Sequence, residues 1–217
     1  MSTSFKTSMF GGFDRSDVIA YIEKTGREHE ERVAALEAEN ETLRKENQTL
    51  ENTQRVTQAQ LLKMRDNLVP VRSDGSGVPH YETDKDAVYM PRQKDFEHYH
   101  DYVQEALRQI VSATGHQQRL AREGMVMKNG VAPSEDAIKY ERLVVELASG
   151  IKMLKLGLPA RLSDASLKTV DYWCREFKEN PCMMDALESD VNNALDVIRK
   201  AERGEKIEYA TLRNRRQ

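Results

Sequence analysis

Hydrophobic and polar positions change texture at about residue 68. From Asp14 to about Leu68 the chain has no proline, and its last glycine there is Gly26. The run EHEERVAALEAENETLRKENQTLENTQRV is polar and rich in helix formers, which predicts one long helix. Within it Leu36, Leu43 and Leu50 recur every seven residues, with Val33, Asn40, Asn47 and Gln54 on the companion positions. Leucine at d with a mostly polar a is a coiled-coil seam. The alternative, a solvated single helix, gains little from packing and is marginal. Paired Asn at a sets register at a cost in stability and disfavours higher oligomers. The expected state is therefore a parallel dimer joined through Val33, Leu36, Asn40, Leu43, Asn47 and Leu50.

The stretch VPVRSDGSGVPHYETDKDAVYMP that follows holds three prolines and short β-favouring pieces. It predicts a linker over residues 69–80, a turn at Asp74-Gly75, a turn rather than a calcium loop at Asp84-Lys85-Asp86, and a strand from Ala87 to Met90. Helical periodicity then resumes, with Phe96, Tyr99, Val103, Leu107 and Ile110 on one face ending near Gly115. Further helices are expected at 134–156, 164–178 and 182–203. Leu143, Leu147, Ile151 and Leu154 mark the first of these. Leu167, Val170, Trp173 and Phe177 mark the second, and Leu187, Val191, Leu195 and Ile198 the third. The fold class is mostly α: a long N-terminal helix (1–68), a helical domain with a small β element (81–204), and a basic tail (205–217).

Composition narrows the function classes. With 217 residues and 39% hydrophobic content the chain can build one compact domain and one extended segment. Charged residues make up 32% but nearly cancel to −3, so neither part is a basic block for nucleic acid, and the tail LRNRRQ reads as solvated. There is no apolar run long enough to span a bilayer and no secretory core, which points to the cytoplasm. Cys174 and Cys182 are then expected as reduced, partly buried thiols.

Gly11-Gly12 predicts a turn, and Asp14 or Ser16 a cap for the helix carrying Val18, Ile19, Tyr21 and Ile22. Phe10, Gly12, Phe13, Asp14, Val18 and Tyr21, with the LEAENETL seam, resemble the amino-terminal module of DivIVA-like cell-division proteins. That resemblance implies a parallel coiled coil and a loop in which an aromatic and a neighbouring basic residue touch the membrane. Phe10 and Phe13 are the candidate loop residues for a membrane or a partner. The basic position holds Gly11, and packing of both rings over the first helical turn is an equal alternative.

The ordered series AVYMPRQKDFEHYHDYV, TGHQQRLAR, YERLVVELASGIKMLKLGL and VDYWCREFKENPCMMDALESDVNNALDVI, over about residues 80–203, resembles the zincin-like domain of ArdC-type antirestriction proteins. Related domains occur in polyvalent proteins of mobile elements. In active members the helix before Thr-Gly-His carries His-Glu-x-x-His, whose two imidazoles bind zinc while the Glu acts as general base. Here those positions are Arg108, Gln109, Ile110, Val111 and Ser112, so both ligands and the base are missing. The family's later acidic ligand falls on the helix where Glu141 and Glu146 remain. Their ordinary alternative is a surface ion pair and a polar helix position.

No replacement site is evident. His98 and His100, two apart on a helix, should point about 200° from each other, and His116 lies beyond the helix end. Cys174 and Cys182 lack zinc-knuckle spacing. The expectation is a non-catalytic binding or scaffold protein with no cofactor. Its partners would be a second copy and an unidentified protein, and the resemblance implies a mobile-element setting. The alternatives are a DivIVA-like division scaffold and a metallopeptidase with an unusual metal site.

Overall fold

The computed structural model of the chain describes residues 6, 11–73, 75, 77–128, 130–162, 164–205 and 207. Phe10, Asp74 and the tail from 208 onward lie outside the described residues. Five helices and a three-stranded sheet give a mostly helical architecture: α1 Arg15–Asn67, β1 Val71–Arg72, β2 His80–Glu82, β3 Ala87–Tyr89, α2 Tyr99–Thr114, α3 Glu135–Lys155, α4 Asp164–Glu179 and α5 Cys182–Arg203. The chain divides into two compact units, residues 1–54 and 55–217.

In the first unit α1 is capped by Asp14, whose Oδ1 accepts from the backbone N–H groups of Ser16 (2.8 Å) and Asp17 (3.3 Å). The Ser16 hydroxyl and these N–H groups hold the Asp14 carboxyl below its usual pKa. Asp14 is thus the cap residue of the two that the sequence offered. None of the described residues of this unit is buried. Val33, Leu36, Leu43 and Leu50 stand exposed along one stripe of the helix, and Asn40 donates to the Leu36 carbonyl (3.0 Å). Phe13 of the loop is exposed as well.

The second unit starts earlier than residue 81. Thr57 and Met64 of α1 are fully buried, Val69 is buried, and Val71 pairs with Val88. The start of the stretch read as a linker is instead the entry strand of the fold, because Val69 and Val71 deliver apolar side chains to the core, while the described residues between Arg72 and His80 have no regular structure. The sheet has the order β1-β3-β2, with β1 parallel and β2 antiparallel to the central, buried β3. A turn through Thr83–Asp86 joins β2 to β3.

Helix α2 packs against the sheet, α3 and α5, and α4 packs against α3. Val103, Leu107 and Ile110 of α2, Leu187, Val191, Leu195 and Ile198 of α5, and Trp173 of α4 all join the core. Trp173, 4% exposed, stands edge-on to Tyr140 at 5.5 Å and stacks on Phe177 at 5.7 Å. The α3 stripe is different. Leu143 is buried, but Leu147 and Ile151 are exposed and Leu154 is 67% exposed. The buried arc of α3 runs instead through Glu141, Val144, Val145, Ala148, Ser149, Lys152 and Met153. The small Ala148 and Ser149 suit a helix wedged among three others, whereas the leucine row lies on its flank. Leu167 of α4 is exposed too, and Cys174 and Cys182 are exposed free thiols rather than partly buried ones. Both cysteines lie on outer helical positions that the periodic core faces do not use.

A candidate degenerate metallopeptidase site

Helix α2 has one polar face within an otherwise buried surface. Glu105, Arg108 and Ser112 fall three and four residues apart on it, with Gln109 beside them, and all four are half-buried. The guanidinium of Arg108 donates to Glu105 on its own helix, to Glu146 Oε2 on α3 (3.0 Å) and to the Arg161 carbonyl (3.2 Å). Burial works against the charge on Arg108, but Glu105 and Glu146 outweigh it and raise its pKa, so the group stays cationic. A fixed positive charge therefore sits at the position where the family resemblance leads one to expect the first imidazole. It faces the carboxylate of Glu146 across the helix pair.

The two surviving acids on α3 have separate jobs. Glu141 is buried and takes both arms of Arg122, from Nε and Nη2, at 2.7 Å each. Arg122 also donates to the Thr114 hydroxyl and the Val111 carbonyl, both at 2.8 Å. Burial lifts the Glu141 carboxyl above its usual pKa, with Arg122 opposing. The pair is thus a buried structural tie between the loop after α2 and α3. It is not the surface ion pair that was the ordinary alternative. Of these two acids, Glu146 is the one that reaches Arg108.

The loop after Thr-Gly-His is shaped for this tie. A Cβ on Gly115 would meet Arg122 Nη2 at 2.8 Å, and one on Gly124 would lie 2.4 Å from the Ala137 carbonyl oxygen. His116 is buried, and its Nδ1 accepts from the Gln118 N–H at 3.3 Å. A second tie fixes the sheet: Arg119 reaches both oxygens of Asp86 (2.7 and 2.8 Å), the Leu68 carbonyl (2.8 Å) and the Ala113 carbonyl (3.0 Å).

His98 and His100 do not point apart. Their rings stack at 5.2 Å with planes 12° apart, because His98 precedes the helix in an extended conformation (φ −127°, ψ 146°). The irregular backbone that shared ligation would need is present. Among the described residues, however, no three His, Cys, Asp or Glu side chains are grouped to hold a metal ion. The zinc that a zincin fold implies does not fit the donors at positions 108, 109 and 112. A guanidinium repels a dication, an amide cannot take a proton at neutral pH, and Glu146 is one acid already neutralised by Arg108.

One participant was not singled out from sequence. Gln104, one turn before Arg108 and buried, pairs its side-chain amide with the backbone of Arg161: Oε1 accepts from the Arg161 N–H (3.0 Å) and Nε2 donates to the Arg161 carbonyl. A glutamine four residues from Arg108 on the same helix was the available signal. Its partner, 57 residues away, was not visible.

Comparison with known proteins agrees with this architecture. The fold is similar to the crystal structure of the antirestriction protein ArdC from the R388 plasmid. The Mn(II)-bound form matches with a TM-score of 0.58 and 19% identity over 67% of this chain and 51% of that one. The metal-free form matches at 0.57 and 20%, over 69% and 51%. The present chain thus spans about half the length of that protein. Comparison with curated proteins finds no match. None of the residues before 63 is covered by the family match, so the DivIVA-like resemblance of the N-terminal part gains no support from it. Residues 63–186 match the MPTase-PolyVal family, described as zincin-like metallopeptidase, and the chain belongs to that family.

Proposed function

We propose that the chain is a non-catalytic binding or scaffold protein of antirestriction type, serving a mobile genetic element, in which a zincin-like domain has given up its metal chemistry. The observation that carries the reading is the Arg108 guanidinium, held by Glu105 and Glu146, at the position that the family resemblance assigns to the first metal ligand. An internal cation neutralises the acid that would otherwise face the metal, so the helix pair closes without one. The ArdC likeness, limited to the fold, supports the antirestriction setting.

The exposed stripe of Val33, Leu36, Leu43 and Leu50 supports self-association through the first unit. A helix of this length with none of its first forty residues buried has little to stabilise it alone. A parallel partner covers the stripe.

Metal analysis of the full chain, purified without chelators, tests the reading together with a peptidase assay in added Zn²⁺ and Mn²⁺. Sub-stoichiometric metal and no cleavage are expected. One equivalent of metal, or cleavage abolished by Glu146→Gln, would overturn it and favour an enzyme with an altered site.

A further inference from the structure

The heptad register of α1 does not stop at Gln54. Counting on from Val33 at a and Leu36 at d, the positions after Gln54 are Thr57 and Met64 at d, and Leu61 and Leu68 at a. Thr57 and Met64 are the buried residues of α1, both fully so. Leu68, 6% exposed, joins Met64 in the core cluster, and the half-buried Leu61 packs against it. The b, c and f positions of the same stretch are all exposed. The side of the helix that stands bare at Val33, Leu36, Leu43 and Leu50 is thus the side that the domain covers from Thr57 to Leu68.

Polar contacts fix that covering. The Gln60 amide oxygen accepts from Lys152 Nζ on α3 (3.3 Å), the Asn67 amide donates to the Ala201 carbonyl of α5 (2.8 Å), and the Leu68 carbonyl accepts from Arg119 (2.8 Å). A coiled-coil partner would need the same side, with its axis about 8–10 Å away. The two occupants therefore exclude each other at every shared position.

Charges beside the seam fit a second copy before Gln54. In a parallel pair each g residue meets the e residue of the partner's next heptad. Arg32 then meets Glu37 and Glu39 meets Arg44, while Glu46 meets Glu51. All six are exposed. Attraction lies toward the start of the seam, and the one repulsive pair lies nearest Thr57.

We infer that the a/d face of α1 changes occupant between Gln54 and Thr57: a second copy of the chain covers it from Val33 to Gln54, and the protomer's own domain from Thr57 to Leu68. The paired helices part at this point. The seam lengthens only when a domain lets go of its own helix, so self-association and the domain's grip on α1 oppose each other beyond Gln54. This rests on the self-association reading above.

Disulfide trapping on the full chain tests it. Cys174→Ser and Cys182→Ser remove the two exposed thiols, and Leu43→Cys, Leu50→Cys or Thr57→Cys then introduces a single one at a d position. A disulfide needs Cα atoms about 4.4–6.8 Å apart, so only positions that face each other across the seam close one. In a glutathione buffer positions 43 and 50 should yield covalent dimer, and position 57 at least about tenfold less than position 50. A smaller gap, or none, overturns the inference and leaves self-association standing. Covalent dimer through position 43 but not 50 overturns it too, because the seam would then end before Gln54. No covalent dimer at either position removes the seam itself, and with it the self-association reading. Should Thr57→Cys unfold the domain, as circular dichroism would report, Leu61→Cys at the next a position takes its place with the same expectation.

Discussion

Rebuilding the lost ligands is the sharpest probe of the register. The triple change Arg108→His, Gln109→Glu and Ser112→His puts two imidazoles one turn apart on α2, facing Glu146, with Glu141 kept out by Arg122. Removing Arg108 first carries a penalty. Its side chain and that of Glu146 are each 13% exposed, so breaking the pair leaves a largely buried carboxylate without its cation. That costs about 3 kcal/mol, the lower end for such pairs. For a unit of this size the metal-free variant should melt about 6–12 °C lower than the native chain. Zinc held at a hundred times its dissociation constant returns about 2.7 kcal/mol, which offsets most of the loss. Thermal denaturation with and without zinc, together with metal stoichiometry, reads both halves. The expected result is a lowered melting temperature that zinc restores, at one equivalent. Adding Glu146→Gln should greatly weaken that response, and the unchanged chain should show no such zinc-dependent gain. A folded triple variant that neither binds zinc nor is stabilised by it would refute the placement of positions 108, 109 and 112 around Glu146. Peptidase activity is a separate matter, because ligands alone do not supply the surrounding hydrogen bonds that catalysis requires.

Asp86→Asn should destabilise the second unit by about 3 kcal/mol at neutral pH, because Arg119, 2% exposed, loses its carboxylate. Asp86 sits at φ 44°, a region asparagine tolerates, so urea denaturation reads the charge rather than backbone strain. Burial works to raise the Asp86 pKa, but Arg119 and Tyr81 hold it below the usual carboxylate value. A depressed pKa gives stability that is present above the unfolded value and lost as pH falls through the folded one. The gap between wild type and variant should therefore shrink below about pH 4, and a gap undiminished in acid would contradict the pairing. Gly124→Ala drives a Cβ to 2.4 Å from the Ala137 carbonyl and 2.6 Å from Glu141 Cβ. It should cost about 3 kcal/mol in urea titration, and a neutral effect would mean the loop does not lie this close to α3. Leu36→Ala, Leu43→Ala and Leu50→Ala together should turn a dimer into a monomer in sedimentation equilibrium at micromolar concentration, while an unchanged dimer would place the contact elsewhere.

The sequence by itself determined the elements. Period and punctuation placed α3 to α5 and the end of α2 within a residue or two, since Gly115, Pro159, Pro181 and Gly204 act locally and a core face repeats every turn, but α2 begins only at Tyr99, after Phe96, which the helical period had included. The order of four motifs was enough to name the zincin-like fold, and the residues at 108, 109 and 112 were enough to expect its chemistry to be missing. Tertiary structure decided which partners those residues and the acids near them take. Which face of α3 is buried depends on three neighbouring helices, so the leucine row at 147, 151 and 154 misled, while Ala148 and Ser149 carried the packing. The roles of Glu141 and Glu146 looked alike in sequence. They parted only when Arg122, 19 residues before Glu141, and Arg108, 38 residues before Glu146, each took one of them as partner. The hold of Gln104 on Arg161 spans 57 residues. Such pairings are set by where the chain closes on itself, and local periodicity has no term for them.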